Sequence, residues 1–245
     1  MPVFIQIPLI LILFSFGIAV LGTAFMPAIL WFLWALEQTA TWEPFTRAWT
    51  LGLSLGLAYL IFGFSLIAVT VIITRILPRM KPGEYNFASP QGAQWFFTGA
   101  LSFLVSKFFL DFLLLTGVNI IYFRLMGAKI GKNCQINTKE ISDFHLIHIG
   151  DNTMIGGQST ILGHVGECGK LKLRPVKIGS KVTIGLGATI FPGAEIGDRA
   201  VVGAASLVLK DEKIPPNSMY VGVPARNIRS RSEAENGHDA DHAEA

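Results

Sequence analysis

IGSKVTIGLGATIFPGAEIGDRAVVGAASLVLKDEKIPPNSMY, residues Ile178 to Tyr220, carries an aliphatic residue at every sixth position: Ile178, Ile184, Ile190, Ile196, Val202, Val208 and Ile214, with Tyr220 closing the series. Gly179, Gly185, Gly197 and Gly203 follow four of these directly. A helix repeats every ~3.6 residues and a strand every two, so neither places every sixth residue on one line. A three-sided coil does. Each hexapeptide forms one short face and three close a turn. The aliphatic residue points inward onto its equivalents in adjacent turns, and glycine relieves crowding at the corners. Thr183, Ala188, Ala194 and Ala200 are small enough to fill a narrow interior beside that stack. An ordinary sandwich would need seven aliphatic coincidences in a row.

The rhythm extends backwards through Ile149, Ile155 and Ile161, and before them through Ile130 and Ile136. It breaks between Ile161 and Ile178, a step that is not a multiple of six. The extruded segment, LGHVGECGKLKLRPVK from Leu162 to Lys177, holds one His, one Glu, one Cys and four basic residues. Segments that interrupt a rigid repeat are where function tends to sit.

Upstream the chemistry changes. Val3 to Leu36 is uncharged and longer than the ~20 residues a helix needs to cross a bilayer. No Lys or Arg precedes it and it exceeds the apolar core of a signal peptide, so a spanning helix is expected rather than a cleaved leader. Ala48 to Thr74 is a second such run and contains Gly52 and Gly56, a spacing that permits close helix approach. The link between them carries Glu37, Glu43 and Arg47, whereas Arg75, Arg79 and Lys81 follow the second, which puts both ends of the pair in the cytoplasm. Trp95 to Phe123 is apolar but contains Lys107 and Asp111, and basic residues flank it on both sides. A re-entrant or interfacial helical segment is therefore expected, with Lys107 and Asp111 either a polar site facing a lipid substrate, or a mutually satisfied pair or snorkelling charges. The expected layout is two transmembrane helices within 1–80, the interfacial segment within 81–127, a coil domain over 128–227 and a disordered tail over 228–245, rich in Glu, Asp, Ala and Arg. The fold class is thus helices followed by a parallel β-solenoid.

The net charge of +3 and the lack of an aromatic-interleaved basic stripe exclude nucleic acid as a favoured partner. Cys134 and Cys168, the two cysteines, have no metal-ligand spacing, and no metal is expected. Asp143, His145 and His148 are candidates to line an acceptor site; strand alternation would put the two histidines on opposite faces, too far apart to chelate one ion together.

Gly163-His164, Arg174-Pro-Val-Lys-Ile-Gly179, Ile190-Phe-Pro-Gly-Ala-Glu-Ile-Gly197 and Gly222-Val-Pro-Ala-Arg226 together resemble the hexapeptide-repeat acyltransferase family, left-handed β-helix enzymes that include maltose, xenobiotic-antibiotic and exopolysaccharide O-acetyltransferases. The resemblance covers about Ile130 to Arg226. The Leu171-Lys172-Leu173 approach to Pro175, with the preceding apolar segments, is also similar to the C-terminal membrane region of poly-amino-acid-forming nonribosomal peptide synthetases. The resemblance implies that His164 is a general base, taking a proton from an acceptor hydroxyl or amine as it attacks a thioester carbonyl. Glu167 or Glu140 is expected to orient its ring. Lys170, Lys172, Arg174 and Arg226 become candidates for the phosphates of coenzyme A or a carrier-borne phosphopantetheine, and the backbone at Gly185 and Ala204 for the pantetheine. A homotrimer is implied, with each site shared between two coils. Cys168, four residues from His164, invites a covalent acyl-enzyme alternative, although direct transfer is usual in the family. Many members carry Trp where this chain has Thr183, so acetyl is not the only acyl group expected. Two alternatives remain open: a zinc carbonic-anhydrase-like enzyme of the same fold, and a non-catalytic scaffold for a membrane complex.

Overall fold

A computed structural model describes residues 3–114 and 116–228, so the expected disordered tail lies outside the described residues beyond Ile228. The chain divides into two compact units, Met1–Pro78 with Phe96–Asp111, and Arg79–Trp95 with Phe112–Ala245.

In the first unit, α1 (Val3–Gln38) and α2 (Pro44–Ile76) pack along each other through small side chains. Ala24, Ala28 and Ala35 are buried on α1, as are Ser54, Ala58, Phe62 and Leu66 on α2. Phe25 and Phe62 stack with ring centroids 3.9 Å apart. At Gly52 and Gly56, expected to mark the close approach, an added Cβ would meet open space; Gly63 marks a close approach instead, lying so near the Phe109 ring that a Cβ would collide with it. Phe109 belongs to a π-helical turn, Ser106–Leu110, that follows α3 (Pro90–Val105) and leads into α4 (Asp111–Leu113). The Tyr59 hydroxyl donates to a carbonyl of this wider turn, Phe108 O, at 2.9 Å. Leucines, isoleucines and aromatics cover the outward faces, among them Leu30, Trp49, Leu53 and Ile72. Three helical stretches, Leu11–Gln38, Pro44–Ile76 and Pro90–Leu113, are long and apolar enough to cross a membrane.

The second unit is the coil, with strands numbered along the chain. One face stacks β3 (Gln135–Ile136), β5 (Met154–Ile155), β10 (Thr183–Ile184), β13 (Val201–Val202) and β16 (Met219–Val221), with β17 (Arg226–Asn227) folded back antiparallel on its edge. The next stacks β6 (Thr160–Ile161), β11 (Thr189–Ile190) and β14 (Leu207–Val208). The third stacks β2 (Lys129–Ile130), β4 (Ile147–Ile149), β9 (Val176–Ile178), β12 (Glu195–Ile196) and β15 (Lys213–Ile214). Thr183 pairs with Val201, Thr189 with Leu207 and Glu195 with Lys213, so one turn is eighteen residues on every face. That is three hexapeptides.

Each two-residue strand from β3 to β15 buries its second residue, and Ile155, Ile184, Ile190 and Val202 are all at most 1% exposed. The position two residues earlier also faces inward, where Val182, Ala188, Ala194 and Ala200 are buried. Thr183 does not join them. It precedes Ile184 directly, so the pleat turns it outward, and it is exposed. Lys181, Arg199 and Asn217, eighteen residues apart, take left-handed φ of 56–59° at one corner of successive turns. Asn119 on α5 (Val118–Leu125) closes the first open end of the prism by donating to Ile136 O at 2.7 Å, beside buried Tyr122 and Phe123. Ala225, buried after the last full turn, closes the other.

The alternation yields a test. Ile184→Ala should lower unfolding free energy by about 2–5 kcal/mol, because the neighbouring turns cannot collapse into the void, whereas the adjacent Thr183→Ala should stay within about 0.5 kcal/mol. Denaturant unfolding of both proteins, followed by circular dichroism, checks the order; equal losses would contradict the inward and outward assignment.

Candidate active site

On each of the three faces one parallel pairing skips well over a turn, Met154 with Thr183 among them. Thr160 pairs with Thr189 and His148 with Lys177, each twenty-nine residues on, eleven more than a turn requires. The surplus is not an irregular loop. It forms an antiparallel hairpin, β7 (His164–Glu167) and β8 (Lys170–Leu173), joined by Cys168 and Gly169 with φ of 49° and 73°. Two successive left-handed residues match the twist of a tight hairpin. The strand β1 (Gly83–Asn86) pairs along the far edge of β8, completing a three-stranded sheet. The alternating Lys-Leu-Lys-Leu of β8 sends Leu171 and Leu173 into a small core with Leu146, against which Met80, Tyr85, Phe87 and Trp95 pack. The excursion therefore carries a hydrophobic core of its own.

His164 opens this hairpin. Its Nδ1 lies 2.6 Å from Asp143 Oδ2 and 3.3 Å from Ser142 Oγ, and Ser142 Oγ donates to the same carboxylate oxygen at 3.0 Å. Trp95 Nε1 donates to the other oxygen, Oδ1, at 2.9 Å, and its ring meets the imidazole edge-on, centroids 4.7 Å apart. The Asp143 side chain is 6% exposed and that of His164 24%. Asp143 reaches the ring because it sits at a second, smaller break: Lys129 pairs with His148 nineteen residues on, one more than a turn. The chain absorbs the extra length with Asp143 in a left-handed conformation, φ 52°, followed by a 3-10 turn, Phe144–Leu146. Gly163 allows the approach, since a Cβ there would lie 2.7 Å from Asp143 Cβ and 3.3 Å from Leu146 Cβ. With Nδ1 held by a carboxylate, Nε2 is the basic nitrogen, the arrangement a general base requires.

The carboxylate at the ring is Asp143, rather than Glu167 or Glu140. Glu167, at the far end of β7, accepts from Lys210 Nζ at 2.6 Å and pairs with Lys172 at 3.2 Å. Hydrogen bonds from these lysines hold its carboxyl below the usual range, Lys210 contributing most. Lys172 also meets Glu84 at 3.5 Å, and Arg174 meets Asp211 at 3.3 Å, so a phosphate would have to compete with exposed ion pairs of small individual worth. Gly185 and Ala204 come together: consecutive turns stack so closely there that a Cβ on Gly185 would strike the Ala204 backbone. Arg226 is exposed on β17, paired with Val221.

His145 lies in the 3-10 turn against Gly127, and burial pushes its pKa down. His148 faces outward on the third side of the coil, in a shallow depression of about 440 Å³ that Lys129 also lines. Its pKa is lowered by burial first and then by Lys129 and Lys177. The 3-10 turn breaks the expected alternation, so Leu146 and Ile147 are both buried. Among the described residues no three of His, Cys, Asp and Glu group to hold a metal ion. Cys168 occupies the hairpin tip, at the opposite end of β7 from His164. Lys107 and Asp111 belong to the other unit, the Lys107 ammonium lying 5.3 Å from the centre of the Phe103 ring.

Trp95 and Ser142 were not singled out in the sequence. The step of thirteen from Ile136 to Ile149, also not a multiple of six, is the signal that marks the Ser142–Asp143 turn. No comparable signal marks Trp95.

A family model for the hexapeptide repeat of succinyl-transferase matches residues 175–210. "Putative acetyltransferase YvoF" of Bacillus subtilis is 36% identical over 118 residues, 47% of this chain and 67% of that protein. The chain belongs to the hexapeptide-repeat acetyltransferase family. Galactoside O-acetyltransferase of Escherichia coli is 41% identical over 108 residues, 41% of this chain and 52% of the relative. Delta-poly-L-ornithine synthetase of Acinetobacter baumannii is 30% identical over 175 residues, 69% of this chain but 13% of that much longer protein.

Because Gly163 is the residue that lets Asp143 reach the ring, Gly163→Ala should separate the pair while leaving the stacked turns folded. Transfer activity, once assayed, should fall at least tenfold with the melting temperature little changed; full activity in that protein would contradict the packing argument.

Proposed function

We propose that this family member is a membrane-anchored acyltransferase, moving an acyl group, with acetyl the leading candidate, from a coenzyme A or phosphopantetheine thioester to a hydroxyl or amine of a membrane-associated acceptor. The observation that carries the reading is the Asp143–His164 pair, 2.6 Å apart, assembled from the two breaks in an otherwise regular coil. His164 Nε2 takes the acceptor proton as the acceptor oxygen or nitrogen attacks the thioester carbonyl. Asp143 keeps the Nδ1 proton in place and stabilises the imidazolium that forms. When the tetrahedral intermediate collapses the C–S bond breaks, and the imidazolium returns its proton to the departing sulfur.

The stacked corner at Gly185 and Ala204 is the proposed track for the pantetheine, with Lys172, Arg174 and Arg226 toward its phosphates. The coil is read as a left-handed β-helix over 128–227, assembled as a homotrimer with sites shared between neighbours. Two helices within 1–80 are proposed to cross the inner membrane with both termini cytoplasmic. Residues 81–127 would hold the third apolar stretch at the interface. That both flanks of Phe96–Asp111 fall in the same compact unit supports one compartment for both. The exposed Trp34, Trp42, Phe45 and Trp49 around the α1–α2 link fit the aromatic belt of a bilayer surface.

Reconstituted in lipid nanodiscs with radiolabelled acetyl-CoA and a membrane extract as acceptor source, the full chain should release thiol as label enters the acceptor fraction. His164→Ala should lower that rate by ~10²–10⁴ while still binding the donor. Undiminished transfer by His164→Ala would remove the base, and no transfer from any thioester would favour a scaffold role.

A further inference from the structure

Trp95 lies outside the repeat, sixty-nine residues before His164, yet it touches both members of the pair. Oδ2 of Asp143 is occupied by the imidazole and by Ser142, and Oδ1 by the indole N–H. At 6% exposure the carboxylate has little solvent to replace a lost donor. A buried acceptor without its partner is costly and turns toward whatever donor remains. The indole also meets Phe87, edge-on with centroids 6.1 Å apart, and that ring lies under Gly166 of the catalytic strand. The backbone of β7 and the carboxylate of Asp143 are thereby referred to the same bicycle.

Building on the assignment of His164 as base, we infer that Trp95 is a positioning residue for the reaction. Its N–H fixes the rotation of the Asp143 carboxylate so that Oδ2 meets Nδ1, and its ring, at 65° to the imidazole, fixes that ring's plane. Trp95 touches neither donor nor acceptor. It acts through the time the base spends correctly aimed, which enters the chemical step and not donor binding. The coil supplies the pair, and a residue from the segment that leads into the apolar Phe96–Asp111 stretch aligns it.

The test exchanges one atom. In the full-length protein, Trp95 is replaced by 3-benzothienylalanine, which keeps the bicyclic shape and puts sulfur where the N–H was. With acetyl-CoA as donor, kcat should fall roughly 10- to 100-fold, the range of a lost hydrogen bond to a charged group. KM for acetyl-CoA should stay within about twofold, and the melting temperature should hold. 5-Fluorotryptophan at the same position, which retains the N–H, should restore kcat. Wild-type kcat with benzothienylalanine, while His164→Ala is inactive, overturns the role of Trp95 and leaves the base intact. Activity in His164→Ala overturns the base and this inference with it. A loss that follows the melting temperature with both analogues marks packing alone and also overturns the inference.

Discussion

The inward stack of one aliphatic side chain per hexapeptide is the interaction on which everything else in the coil depends. Ile155 sits beneath Ile184 and Ile184 beneath Val202, each at most 1% exposed, and each side chain removed from water is worth about 1.5–3 kcal/mol. No single face could hold alone, because a two-residue strand buries too little. Repetition supplies the cooperativity, and the narrow interior then demands small residues beside the stack, as at Ala188, Ala194 and Ala200. A framework this regular has a functional consequence: added residues cannot be absorbed inside it and must leave the prism.

Both departures lead to the same place. The eleven extra residues after Ile161 become a hairpin that starts at His164, and the single extra residue after Ile136 becomes the left-handed turn that aims Asp143. Because the turns are stacked in register, two irregularities far apart in the chain come within hydrogen-bonding distance. A loop could hold such a pair, but here each member is anchored to a rigid side of the prism.

The repeat, its eighteen-residue turn and the segment bearing His164 were legible from spacing alone, since a six-residue period admits few other structures. Which carboxylate meets His164 was not. Spacing left Glu167 and Glu140 both open, but a strand carries Glu167, three residues on, away from the ring toward Lys210 and Lys172. Asp143 is twenty-one residues distant, and only the stacking of turns makes it a neighbour. Trp95 was hidden for a related reason: it lies before the repeat begins, and no period reaches it. Thr183 was misplaced by a single position, which in a strand is the difference between the core and solvent. The apolar helices were evident from composition, but the contact at Gly63 rather than Gly52 and Gly56 depended on where the Phe109 ring falls.

If Asp143 aims His164 as its geometry implies, the proton on the neutral imidazole must reside on Nδ1. Nitrogen-15 magnetic resonance of the full chain, labelled at histidine and reconstituted in nanodiscs, reads this directly, with His164→Gln identifying the signal. The expected spectrum has a protonated Nδ1 and a bare, pyridine-like Nε2 facing the acceptor. A ring protonated on Nε2 would contradict the account, because that nitrogen would then have no lone pair with which to take the acceptor's proton.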